Sequence, residues 1–360
     1  MTDEWVITSV DEVTVGWLTA VLTQSNALTH GDVTAVTVET GGGNWSANAS
    51  LTLTYSDDAQ GQRPKRLFLK LVNTALDDDE SFDDSEVTYY TRDYVDVADA
   101  PLVPCYHAAY SATVQRYHLL LEDVSETHVL ALEKAPTLAY GLALAEGLAA
   151  MHARWWGAKG LAEAGAAMHS AAHIQRFIDI AAPGVDHIIA HVSADLKPGW
   201  PALMRDLFAN LPAALIKRTQ DANGFTLIHG DNNETNILVP REGTRPIYLI
   251  DRQPFNWSLT TWLGVYDLAY AIVRDWPIEI RRQWELPILH HYHQHLMQHG
   301  IASYSWNQLL DDYKLCVPIC VAIATEFCRG GLNQRWQHIW LPQLQRSLTA
   351  CDDLECRSLW

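Results

Sequence analysis

The stretch FTLIHGDNNETNILVPREGTRPIYLIDRQPF, from Phe225 to Phe255, constrains the fold more than any other part of the chain. An apolar run (Phe225, Leu227, Ile228) leads into His229-Gly230-Asp231. Asn236 then opens the short run Ile237-Leu238-Val239. A turn rich in Pro, Gly and Arg follows, and a further run from Ile247 to Ile250 ends on Asp251. Short apolar runs bounded by turn residues read as strands. Asp231, Asn236 and Asp251 are therefore expected at one end of a hairpin. Phosphoryl transfer needs such a set: a carboxylate to orient a hydroxyl and take its proton, and oxygen ligands to hold Mg²⁺. Either aspartate alone is explained equally well by closing a turn or capping a strand; the signal lies in both, in this order and spacing.

The H-G-D-x-x-x-x-N-I-L pattern at His229–Leu238, with the apolar-Ile-Asp pattern at Leu249–Asp251, resembles the aminoglycoside phosphotransferase and choline-kinase-like superfamily, including its ecdysteroid-kinase-like branch. The resemblance implies an α+β chain with a two-lobed protein-kinase-like fold. Residues 1–122 would form an antiparallel β-sheet N-lobe that carries an N-terminal helix and binds the nucleotide. Residues 123–360 would form a mostly helical C-lobe with the catalytic loop and the substrate pocket. The same resemblance implies Asp231 as catalytic base and Asn236 and Asp251 as metal ligands. ATP or GTP and Mg²⁺ would be the cofactors, and a hydroxyl on a small molecule the acceptor.

Two departures from the family pattern stand out. Arg252-Gln253-Pro254 follows Asp251, where an aromatic residue is more usual next to the aspartate. His229-Gly230-Asp231 lacks the arginine of protein kinases, and no Ala-Pro-Glu segment follows, which argues against a protein substrate. A nucleotide-binding pseudokinase or regulator of the same fold is the alternative from another functional class.

A chain of 360 residues exceeds the usual single-core limit, so two lobes or domains are expected. With 25 Lys and Arg against 43 Asp and Glu, the formal charge is −18. That balance argues against a nucleic-acid or anionic-membrane partner, either of which needs basic patches. It is compatible with a cationic or neutral alcohol as substrate, and solubility alone explains it equally well. None of the six cysteines (Cys105, Cys316, Cys320, Cys328, Cys351, Cys356) forms a C-x-x-C pair. They read as reduced thiols of a cytoplasmic protein. The acidic start lacks the apolar core of a signal peptide, and no apolar run approaches the ~20 residues that span a bilayer. The oligomeric state is left open.

In the first third, Val13, Trp17, Leu18, Val21 and Leu22 recur at helical spacing, and a β-rich section follows. Two alternating runs, Val33–Glu39 and Ser50–Tyr55, flank a glycine-rich turn whose exposed N–H groups could face phosphate oxygens. By itself such a turn marks only a hairpin. Gly42, Gly43, Asn44, Trp45 and Ser46 nevertheless resemble the G-x-x-N-aromatic-x-S loop of the choline-kinase-like group.

Lys70, alone in the apolar run Arg66–Val72, is costly to bury without an anionic partner, and it is expected at the α- and β-phosphates. Glu86, early in a following helix, is its expected partner, with Asp93 as the fallback. The acidic run Asp77–Asp84 between them reads as a solvated insertion. Strands near Leu102–Tyr110 and Val114–Leu121 lead to Glu122-Asp123-Val124, which resembles the superfamily hinge whose backbone binds the adenine edge.

Beyond the hinge the sequence turns helical. Pro136 suits a first helical position, and Leu138, Leu142, Ala145, Ala149 and His152 follow at helical steps. His152 reads as a hydrogen-bonded core histidine bracing the catalytic loop. Residues 160–224 read as further helices interrupted at Pro198-Gly199, and Trp257–Ala271 as helix or turn-helix, with Asp267 as structural support. His290, His291, His293, His295 and His299 cluster late in the chain. Pairs at i, i+4 could bind Zn²⁺, but the sequence shows no third ligand beside them. They read as a partly exposed helix face, and a hydrolase built on them would need them near Asp231.

Overall fold

A computed structural model of the chain describes residues 6–42, 46–75 and 84–360. Gly43, Asn44, Trp45 and the acidic run up to Asp83 lie outside the described residues. The chain divides into two compact units. The first comprises the residues up to Asp96, Leu102–Val129 and Pro240–Asn256; the second comprises Val97–Pro101, Leu130–Val239 and Trp257–Trp360.

Helix α1 (Val15–Gln24) is capped by Thr14, whose hydroxyl accepts the Trp17 N–H. It leads to β1 (Leu28–His30), β2 (Val33–Gly42), β3 (Ser46–Tyr55), β4 (Gln60–Gly61) and β5 (Arg66–Asn73). A short α2 (Ser85–Thr88) continues as a π-turn over Tyr89–Asp93, and β6 (Cys105–Ser111), β7 (Arg116–Glu122) and β8 (His128–Leu130) follow. Among the described residues β2-β3-β5-β7-β6 form a five-stranded sheet, antiparallel throughout. Side chains alternate faces along β5. Leu67, Leu69 and Leu71 are buried in one core with Leu18, Val21 and Leu22 of α1. Lys70 consequently points to the opposite face, between Asn48 of β3 and Leu119 of β7.

The second unit carries α3 (Leu138–Arg154), α4 (Gly157–Glu163), α5 (Ala171–Val192) and α6 (Trp200–Arg218). Thr137 rather than Pro136 sets the start of α3: its hydroxyl accepts the Tyr140 N–H, so the proline precedes the cap. The Pro198-Gly199 interruption separates α5 from α6. Strand β9 (Phe225–Leu227) precedes the His229-Gly230-Asp231 loop, and β10 (Ile237–Pro240) follows it. After β11 (Tyr248–Leu249) of the first unit come β12 (Thr261–Leu263), α7 (Val265–Asp275), α8 (Ile278–Gln298), α9 (Trp306–Glu326) and α10 (Gln337–Asp353). The stretch expected as helix or turn-helix from Trp257 thus reaches α7 through a turn and a strand. Thr261, Trp262 and Leu263 pair with Leu227, Thr226 and Phe225, and this pairing overrides the local preference. No helix among the described residues is long and apolar enough to cross a membrane.

Candidate active site

In the first unit, Lys70 Nζ lies 2.9 and 2.8 Å from the two carboxylate oxygens of Glu86, and 2.7 Å from Oδ1 of Asp251. The Tyr117 hydroxyl donates to Glu86 Oε2 at 2.6 Å. Period-two alternation places both donors: Lys70 and Tyr117 stand on the same face of neighbouring strands. Burial by itself would lower the Lys70 pKa, but Glu86 and Asp251 outweigh it and hold the ammonium charged. Burial pushes the Glu86 carboxyl up, while Lys70 and the Tyr117 hydroxyl pull it back.

Asp251 has φ +58°, in the left-handed region that costs a side-chain-bearing residue about 1 kcal/mol or more. Its side chain is 48% exposed, and only Oδ1 is engaged by Lys70. The neighbouring Arg252 turns its guanidinium to a different carboxylate. It is buried and pairs with the fully buried Asp93 at 2.7 Å, with Arg92 on that aspartate's other oxygen. Asp93, the fallback partner for Lys70, is thereby committed to two arginines.

Gly42 ends β2 and pairs with Ala47, and the Ser46 hydroxyl donates to Oδ1 of Asn48 at 3.0 Å. Among the described residues a Cβ added at Gly42 would meet nothing within 4 Å. At the end of β7 the Glu122 N–H donates to Pro104 O and the Asp123 N–H to Arg66 O, while the Asp123 carboxylate takes the Arg66 guanidinium. Val124 keeps an N–H without a partner among the described residues.

In the second unit, the loop after β9 hangs on one buried carboxylate. Asp267, in the first turn of α7, accepts the His229 N–H at 2.7 Å and the Gly230 N–H at 2.9 Å. Gly230 has φ +80°, a conformation glycine takes without strain, and this lets two consecutive N–H groups reach the same side chain. His152 of α3 meets Asp267 Oδ2 through Nε2 at 3.1 Å and the Tyr292 hydroxyl of α8 through Nδ1 at 2.8 Å. Burial opposes ionisation of Asp267, but His152, His229 and the Gly230 N–H win, and its pKa is lowered.

Asp231, so held, accepts the Tyr270 hydroxyl on Oδ1 at 2.5 Å and the Asn236 amide on Oδ2 at 3.1 Å. The Asn236 Nδ2 also donates to the Asp231 carbonyl at 2.7 Å. Its own Oδ1 is left to a weak 3.4 Å contact with Thr235. Asn236 and Asp251 thus each keep an oxygen that is not otherwise committed. Hard oxygen donors of this kind suit Mg²⁺.

The sequence model of the ecdysteroid kinase-like family matches residues 96–302. The chain belongs to the ecdysteroid kinase-like family. No curated protein matches it in sequence. The ecdysteroid kinase-like chain is similar in fold to choline kinase from Cryptosporidium parvum Iowa II, at 9% identity over 90% of this chain and 91% of that one, with TM-score 0.53. It is similar to ethanolamine kinase from Plasmodium vivax at 13% identity, 90% and 84% coverage and TM-score 0.52. A spectinomycin phosphotransferase in complex with ADP and spectinomycin matches at 13% identity, 96% and 99% coverage and TM-score 0.51. The shared feature is the small-molecule kinase-like phosphotransferase fold.

Several residues of the ecdysteroid kinase-like site carry no signal in the sequence. Tyr117 lies in an apolar strand like any core tyrosine, and its position opposite Val72 in the strand register is what brings it to Glu86. Tyr270 follows Asp267 in α7, where spacing alone suggested nothing beyond helix. Asn232, whose amide donates to the Asp267 carbonyl at 2.8 Å, belongs to the unassigned x positions of the motif.

Proposed function

We propose that this ecdysteroid kinase-like chain transfers the γ-phosphoryl group of ATP or GTP to a hydroxyl of a small molecule. The observation that carries this is the three-way ion pair of Lys70, Glu86 and Asp251. It spends a largely buried lysine on two carboxylates, one of them left half-exposed on a strained residue. The first unit, which takes in Pro240–Asn256 besides most of the residues up to Val129, serves as the nucleotide-binding lobe, and the second carries the catalytic loop and the substrate pocket.

Lys70, oriented by Glu86, holds the α- and β-phosphates. Gly42, Gly43, Asn44 and Ser46 cover the phosphates, and Val124 gives its N–H to the adenine edge beside Glu122 and Asp123. Asn236 and Asp251 each offer an oxygen for Mg²⁺, which when bound would neutralise phosphate charge. Asp231 orients the acceptor hydroxyl and takes its proton. Catalysis is then mostly positioning and charge placement. The free thiols suit a cytoplasmic setting.

A second reading, a nucleotide-binding regulator without turnover, draws on the crowding of Asp231, both of whose carboxylate oxygens already accept hydrogen bonds. One experiment separates the two. The purified chain is assayed for nucleotide consumption against a panel of amino alcohols, sugars, aminoglycosides and other alcohols, and products are identified by mass spectrometry. Ethanolamine, choline and spectinomycin head the panel. A phosphorylated product lost in Asp231→Asn supports the transferase. Saturable nucleotide binding with no product across the panel supports the regulator.

A further inference from the structure

Phosphoryl transfer leaves the late histidine cluster unused, and the structure sorts its members. His290 and His293 pack edge-on against Trp306, and His293 Nε2 meets the Tyr304 carbonyl at 2.7 Å. His291 and His295, one turn apart on α8, converge instead on Glu146 of α3. Their Nε2 atoms lie 2.6 and 3.7 Å from the same carboxylate oxygen, and their ring centroids are 4.4 Å apart. One ligand atom from each of the three lies within 4.8 Å of the others. The third donor missing from the sequence is thus supplied by packing.

That packing is close. A Cβ added to Gly141 of α3 would stand 2.4 Å from Ile288 Cδ1 of α8, and further along the same two helices His152 meets Tyr292. Glu146 lies between these two contacts in sequence, so the helices that present the three side chains are held together on either side of them. The side chains are 50% exposed for Glu146, 25% for His291 and 23% for His295: open to an ion from solvent, yet partly desolvated. Among the described residues Glu146 forms ion pairs with these two histidines alone.

We propose that Glu146, His291 and His295 bind one Zn²⁺, with water in the fourth position, and that the ion ties α3 to α8. Two imidazoles and a carboxylate are a donor set that Zn²⁺ takes, whereas Mg²⁺ prefers oxygen alone. Zinc–ligand distances of about 2.0–2.2 Å place tetrahedral ligand atoms about 3.3 Å apart. The Glu146–His291 contact opens by less than about 1 Å and the His295 contact closes by a few tenths, which side-chain rotation supplies. As the metal takes the Nε2 lone pair, the proton that bonds the carboxylate is given up to solvent and Nδ1 carries one instead, so the ligand ring is neutral imidazole. This site is independent of whether the chain transfers phosphate.

The test uses the full chain, stripped with a chelator and titrated with ZnCl₂. Wild type should take up one Zn²⁺ per chain, with affinity about 10-fold or more above that of His295→Ala and Glu146→Gln. Its Tm should rise by a few degrees at 100-fold excess over Kd. Neither variant should show that rise, while His30→Ala, an exposed histidine elsewhere, should keep it. Millimolar Mg²⁺ should not compete. No saturable uptake, or equal affinity and equal Tm response in wild type, His295→Ala and Glu146→Gln, would overturn the site and leave an ordinary surface ion pair.

Discussion

The Tyr270 hydroxyl donates a 2.5 Å hydrogen bond to Oδ1 of Asp231. Burial pushes the Tyr270 phenol well above its ordinary pKa, so it stays a donor, and the Arg274 guanidinium lies 4.0 Å over its ring. With Asn236 on the other carboxylate oxygen, Asp231 has little freedom to rotate. A hydrogen bond to a charged group contributes about 1.5–3 kcal/mol. Tyr270→Phe should therefore lower kcat by about 10- to 100-fold while leaving nucleotide KM within about twofold. Steady-state kinetics on the first substrate found checks this, and an unchanged kcat removes Tyr270 from the positioning of Asp231.

Asp231→Asn should lower kcat about 10²- to 10⁴-fold, the usual contribution of a general base. The amide keeps the shape of the side chain, so nucleotide binding, measured by calorimetry, should be retained. Turnover at the wild-type rate would take Asp231 out of its proposed role.

Asp251→Ala should weaken the dependence of nucleotide binding on Mg²⁺. Binding titrated at several Mg²⁺ concentrations measures this, and superimposable curves for wild type and variant would count against Asp251 as a ligand.

Lys70→Met removes the cation from a buried Glu86. Breaking one partner of a buried pair costs about 3–5 kcal/mol, because the other charge is stranded. Denaturant unfolding should show that loss, and the double variant Lys70→Met/Glu86→Gln should recover most of it. No recovery would mean that the lysine stem, not the charge pair, sets the stability.

Acid should destabilise the fold through the buried His118 and the partly buried His169. Burial lowers the pKa of His118, stacked on His107, to about 3, and that of His169, stacked on His173, to about 3. His118 Nδ1 accepts the Ile7 N–H, and His169 Nε2 accepts those of Thr260 and Thr261. Between the unfolded value near 6.5 and about 3, the unfolded chain binds more protons. Stability is therefore complete above about pH 6.5 and falls as pH drops, by up to about 1.4 kcal/mol per pH unit for each histidine. Unfolding followed from pH 7 to 4 should show a shallower slope for His118→Asn than for wild type; parallel slopes would exclude His118 as a source.

The family and the fold class were legible in the sequence, because each rests on local chemistry. The alternation in β5 buries leucines on one face and turns Lys70 to the other, and the spacing from His229 to Asn236 is kept by a loop only a few residues long. Arg252 was legible only as an oddity. Its partner Asp93 lies far off in the chain, and a buried ion pair leaves no periodic trace. The helix start at Thr137 and the strand at Thr261 were misread for a related reason: a cap hydroxyl and a distant pairing partner decided them.

The sequence by itself determined the family and which side chains are on offer for the proposed chemistry, since residue type, order and short-range spacing are covalent facts. Tertiary structure alone decided which of them meet. The Lys70–Glu86–Asp251 cluster, the hold of Asp267 on the loop, and the approach of Glu146 to His291 and His295 all join residues distant in the chain. Such contacts depend on strand register and helix packing, which close only when the core is buried.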